Sequence, residues 1–149
     1  MKKLLLGIAQ ILCFGIIYMI IANLLAVAIA LITAIVQKYS IFRFQAILLI
    51  YETITQTILP VIAGIAISSL MLTIFRGKIN IWSFVVVAVT YLYGAINNIL
   101  MHIKEYGLLT MDTGVAVWIS VLLGACALVP LFGATGYQIT TQDQPITNE

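Results

Sequence analysis

Apolar residues fall into four long blocks along this chain, separated by three short polar connections and followed by a polar tail. The blocks cover about 4–36, 46–75, 81–103 and 115–132. Crossing a hydrocarbon core of about 30 Å takes about 20 apolar residues in a helix, and all four blocks are of that order. The connections, 37–45, 76–80 and 104–114, carry most of the charge. In lipid only helices and closed barrels satisfy the backbone, and no block alternates polar with apolar as a barrel strand must. The pattern predicts an all-α integral membrane protein. Short connections make consecutive helices antiparallel neighbours, so the expected architecture is an up-down-up-down bundle of four transmembrane helices with both termini on one side. Residues 1–136 form a single domain in this reading, and 137–149 a loosely ordered tail. No internal repeat is visible.

The first block is longer than one perpendicular crossing, at about 50 Å for 33 helical residues. It must tilt or extend beyond the bilayer, and Gly7 and Gly15 suggest a break near its start. Lys2 and Lys3 ahead of Leu4, Leu5 and Leu6 resemble the opening of a secretory signal. The apolar run overshoots the length of such a signal twofold, so it reads as a retained anchor. Pro60 and Pro130, inside the second and fourth blocks, each remove a backbone hydrogen bond and are expected to kink their helices.

Composition narrows the class. Of 149 residues, 63% are hydrophobic and 8% charged, with a mean hydropathy of +1.17. Soluble domains carry about 25% charged residues, so a soluble enzyme, a disordered chain and a disulfide-stapled module are all excluded. The formal net charge of +2 is too small and scattered for nucleic-acid binding. Lys2, Lys3, Lys38, Arg43, Arg76, Lys78 and Lys104 sit at block ends, where headgroup contact is expected. Counting them places Lys2, Lys3, Arg76 and Lys78 on one side against three on the other. The paired lysines at the start point to an N-terminus inside a bacterial cytoplasmic membrane, with the C-terminus beside it. Tyr39, Phe42, Phe44, Tyr51, Trp82, Tyr106 and Trp118 lie near block ends, as in an aromatic belt. Phe14 and Tyr18 share a face and read as packing. Cys13 and Cys126 lie in apolar runs and behave as small hydrophobes.

Helices in lipid associate through small residues and interhelical hydrogen bonds. Ala22, Ala26, Ala30 and Ala34 form a four-residue ridge on the first helix. Gly64 and Ser68 do so on the second, and Ala116, Ser120 and Gly124 on the fourth. These surfaces suit either the bundle itself or another membrane chain.

The candidate chemistry is a polar cluster. Glu52 and Gln56 share a face of the second helix; Asn98 and His102 share a stripe of the third with Tyr91, Gly94 and Glu105. Antiparallel geometry puts Glu52, about 9 Å into its span, level with Asn98. The four side chains are therefore expected to meet near one membrane face, with Thr33 and Ser120 at the same level. A carboxylate there is costly, so Glu52 centres either a proton- or cation-responsive site or a clasp between the second and third helices. A metal site drawing on Glu52, His102, Glu105 and Asp112 would need the loop to fold back, and one histidine provides no haem pair. Neither metal nor cofactor is expected. With no GxSxG, Walker A, GxGxxG or HExxH motif, the chain reads as a non-enzymatic subunit of a larger membrane assembly, with lipid and other membrane subunits or its own copies as partners. The alternative is a small oligomeric transporter or ion conductor using the cluster around Glu52.

Overall fold

A computed structural model describes residues 2–38 and 45–142. Four helices account for nearly all of them: α1 (Lys2–Lys38), α2 (Gln45–Ile74), α3 (Ile81–Tyr106) and α4 (Met111–Gln142). No strand occurs among the described residues. Tyr39, Phe42, Arg43 and Phe44, and the tail beyond Gln142, lie outside them. All four helices are long and apolar enough to cross a membrane. The distribution of side chains fits that environment. Leu24, Leu31, Val89, Leu92, Val121 and Val129 are exposed, while Gln10, Thr55, Ser68, Ser83, Thr113 and Thr135 are buried. Water would favour the reverse arrangement, whereas lipid rewards turning polar groups inward.

Each helix differs in detail from its apolar block. α1 is one unbroken helix through Gly7 and Gly15, not a broken one. Without water to receive freed backbone groups, an interruption at glycine has no compensating partner. α4 begins at Met111, ahead of its block, and continues through the first residues of the polar tail to Gln142. Helix α2 carries the main irregularity. At Ile54–Ile58 it widens into a π turn, where the Leu59 amide donates to the Ile54 carbonyl, one residue further back than in an α-helix. Pro60 follows at once and has no amide to donate. The π turn and the proline thus disturb the same stretch of backbone. The Thr55 hydroxyl caps it from within, donating to the Tyr51 carbonyl at 2.9 Å.

The chain direction alternates. Thr33 of α1 meets Tyr51 of α2, and Gln10 meets Lys78 beyond the end of α2, so these helices are antiparallel. Gly7 lies beside Ser83 and Tyr18 beside Gly94, so α1 and α3 are parallel. Tyr91 meets Ser120 and Phe84 meets Phe132, so α3 and α4 are antiparallel.

The neighbour relations correct one expectation. α2 packs on α1 and most extensively on α4, and α3 packs on the same two helices. Helices α2 and α3 therefore face each other across a diagonal, although they are joined by a short turn. The turn itself crosses the end of the bundle. Arg76 and Gly77 take positive φ values of 51° and 73°, reversing the chain, and Ile79 is driven into the core. Asn80 then caps α3, its side chain accepting the Trp82 amide at 3.1 Å. Buried Gln10 of α1 holds this crossing, donating to the Lys78 carbonyl at 2.7 Å and accepting from the Asn80 amide at 3.4 Å. Gln138 of α4 donates to the Gly77 carbonyl.

The core occupies the half of the bundle nearer this turn. It joins Phe14 and Ile17 of α1, Ile67 and Met71 of α2, Val87 and Tyr91 of α3, and Leu123, Ala127 and Leu131 of α4, with Ile79 from the turn. Beyond Tyr18, α1 contributes little to it.

Candidate functional site

A cleft of about 510 Å³ opens in the half that the core leaves unfilled. Its walls are α1, α3 and α4. From α1 come Tyr18, Ala22, Ala26 and Ala30; from α3 come Asn98, His102 and Tyr106; from α4 come Asp112, Ala116 and Ser120. Helix α3 places Asn98, His102 and Tyr106 on one stripe by their four-residue spacing. The His102 Nδ1 lies 3.0 Å from the Asn98 carbonyl oxygen. A carbonyl only accepts, so Nδ1 carries the hydrogen and Nε2 is the edge left for another group. The Tyr106 ring lies beside it at 5.9 Å between centroids. The α3–α4 connection brings Asp112 up to the same cleft. It is held by Gly107 at φ 95° and by Thr113, whose hydroxyl donates to the Gly107 carbonyl at 2.6 Å.

Asn98 and His102 thus share a site, as their spacing predicts. Glu52 and Gln56 do not line it. They lie on α2, Gln56 inside the π turn, and the diagonal separates α2 from α3. The four residues do not form one cluster, because level along the membrane normal does not imply adjacency around the bundle. Thr33, expected at the same level, bonds across to α2, its hydroxyl 2.6 Å from that of Tyr51. Of the other predicted participants, Ser120 reaches the cleft and Glu105 does not.

The small residues divide similarly. A Cβ on Gly64 would lie 2.5 Å from the Cβ of Cys126 and 2.7 Å from the Leu123 carbonyl oxygen, so α2 and α4 touch there backbone to backbone. A Cβ on Gly124 would meet the Tyr91 ring. Ser68 and Ser120 are buried. These are bundle contacts. The alanine ridge of α1 is not one: Ala26, Ala30 and Ala34 are exposed and Ala22 is half-buried. Of this ridge, Ala22, Ala26 and Ala30 face the cleft.

Three features belong to no catalytic or binding motif. Tyr91 donates to the carbonyl of Ser120, and its ring stands edge-on to Tyr18 at 5.7 Å. Tyr18 in turn stacks on Phe14 at 5.9 Å, the packing that their shared helix face predicts. Gln10 is the third, and its signal was present: a lone amide in an apolar run must find a partner. Among the described residues, no three His, Cys, Asp or Glu side chains gather as a metal site would need. Chemically, the cleft is lined by residues that carry an amide, an imidazole, two phenols, an aliphatic hydroxyl and a carboxylate.

No family model, curated protein or solved structure matches this chain.

Proposed function

We propose that the chain is a multi-pass protein of a bacterial cytoplasmic membrane, both termini cytoplasmic, acting as a non-enzymatic accessory or structural subunit of a larger membrane assembly. One observation carries this reading. The ridge Ala22, Ala26 and Ala30 lines an open cleft instead of packing against a helix of its own chain. Small residues let helix backbones approach in lipid, so a ridge left open in the monomer is matched to a helix from another chain. Asn98, His102 and Asp112, which line the same cleft, would give that helix polar partners. The transporter alternative needs Glu52 and Gln56 on the same path as Asn98 and His102, and their placement on diagonal helices argues against such a path within one copy. The orientation draws on Lys3 and Lys78, which share a groove at one end of the bundle, as the positive-inside rule favours for a cytoplasmic face.

A photo-crosslinker at position 26 or 30 in native membranes tests the proposal. With the crosslinker at 26, a discrete adduct with another membrane chain is expected, abolished when Ala22→Leu and Ala30→Leu fill the cleft on either side of it. A chain that stays monomeric, yet conducts protons or cations in liposomes on its own, would overturn it in favour of transport.

A further inference from the structure

A larger groove, about 970 Å³, lies at the opposite end of the bundle, between the start of α1, the α2–α3 turn, the start of α3 and the end of α4. Its composition is graded. Lys3 and Lys78 line it, with Ile11 and Val86 further along α1 and α3. Ile11 lies eight residues beyond Lys3 on α1, about 12 Å along the helix, and Val86 lies five residues beyond the first residue of α3, after the turn that carries Lys78. Trp82, 74% exposed, forms one rim. No carboxylate is among the described residues that line it.

One buried group in this groove is unsatisfied. Ser83 is 2% exposed, and its hydroxyl has no hydrogen-bond partner. It lines the groove in the first turn of α3, where the helix presents unpaired amides and its positive end. A buried hydroxyl without a partner calls for a group that supplies one. Gly7 packs closely over this hydroxyl, since a Cβ there would lie 3.2 Å from the Ser83 oxygen, so the hydroxyl meets a ligand in the groove by turning about its χ1 bond. Gln10 and Gln138, by gripping the turn, fix where Lys78 emerges.

We propose that this groove binds one anionic glycerophospholipid, its phosphate received by Lys3, Lys78 and the Ser83 hydroxyl and its acyl chain laid over Ile11 and Val86. Two cations above an apolar wall match an amphiphile of that polarity. A free phosphate would leave the apolar half unfilled. A zwitterionic lipid would bring a cation toward the two lysines. The inference rests on the membrane reading but not on the existence of a partner subunit.

The test uses the full chain in vesicles of phosphatidylcholine with a minor fraction of brominated phosphatidylglycerol or brominated phosphatidylcholine. The Trp118→Phe variant reports the groove through Trp82, and the Trp82→Phe variant reports insertion through Trp118. Trp82 should be quenched preferentially by the anionic lipid, by about fivefold per lysine. The preference should disappear in Lys3→Gln/Lys78→Gln and weaken in Ser83→Ala, which keeps the charge, while Trp118 quenching stays unchanged. Excess inorganic phosphate should not displace the lipid. Equal quenching of Trp82 by both lipids, a preference that survives loss of both lysines, or displacement by phosphate overturns the lipid site alone. Absence of Trp118 quenching by either lipid overturns the membrane reading with it.

Discussion

The ring of Tyr91 occupies the space that a side chain on Gly124 would fill, and its hydroxyl donates to the Ser120 carbonyl one turn away. The two residues define the α3–α4 contact as a fitted pair: glycine opens the space, and the phenol fills and bonds it. Tyr91→Phe removes only the bond, and interhelical hydrogen bonds in membranes are worth about 0.6 kcal/mol on average. Gly124→Ala forces a ring already held by Tyr18 to move, an overpacking cost of about 1–3 kcal/mol. Unfolding in detergent should therefore rank wild type above Tyr91→Phe above Gly124→Ala. Combining Gly124→Ala with Tyr91→Leu should cost less than the sum of the singles. Additive losses would show that the two do not share the space.

Gly64 and Gly15 make a matched comparison. Alanine gains up to about 1 kcal/mol over glycine within a helix. At Gly15 nothing lies within 4 Å of the added carbon, so Gly15→Ala should raise Tm slightly. At Gly64 the obstacle includes the Leu123 carbonyl oxygen of the facing backbone, which cannot rotate away. There the overpacking cost of about 1–3 kcal/mol outweighs the propensity gain, and Gly64→Ala should lower Tm. A Tm for Gly64→Ala at or above wild type would mean that α2 and α4 are further apart.

The diagonal arrangement is open to direct test by disulfide mapping in a background of Cys13→Ala and Cys126→Ala. Cysteines at 7 and 83 should join readily, because a Cβ at position 7 would lie 3.2 Å from the Ser83 side-chain oxygen, with α1 beside α3. Cysteines at 52 and 98 should not, although both lie near the same end of the bundle. Efficient joining of the 52–98 pair would place α2 beside α3 and restore the four-residue cluster.

Replacing Gln10 tests how the crossing turn is held. Gln10→Leu fits the apolar surroundings but removes both hydrogen bonds to the turn, leaving the Lys78 carbonyl without this donor. An unsatisfied buried group costs about 1–3 kcal/mol. Amide exchange should rise most at residues 77–80, with little change at the α3–α4 connection. Uniform acceleration along the chain would instead indicate global destabilisation, and no change would mean that Gln138 holds the turn alone.

The amino-acid pattern by itself determined the class and the number of helices. Four apolar blocks of about a membrane's thickness have few other stable forms, because the backbone must bond to itself in lipid. The close contacts at Gly64 and Gly124, the pairing of Asn98 with His102 and the packing of Phe14 on Tyr18 were legible for a related reason. Each depends on spacing along one helix, which helical periodicity converts into a shared face. Which helices are neighbours was decided only in three dimensions. Loop length limits how far apart two helix ends can lie, yet the turn at 76–80 is long enough to cross the bundle end once Ile79 is buried and Gln10 holds it. That choice divided Glu52 and Gln56 from Asn98 and His102 and turned the alanine ridge of α1 toward an open cleft. It also gathered Lys3, Lys78 and Ser83 around one groove. Periodicity carries the rotation of a residue about its own helix axis, but the order of helices around a bundle depends on the fit of several surfaces at once.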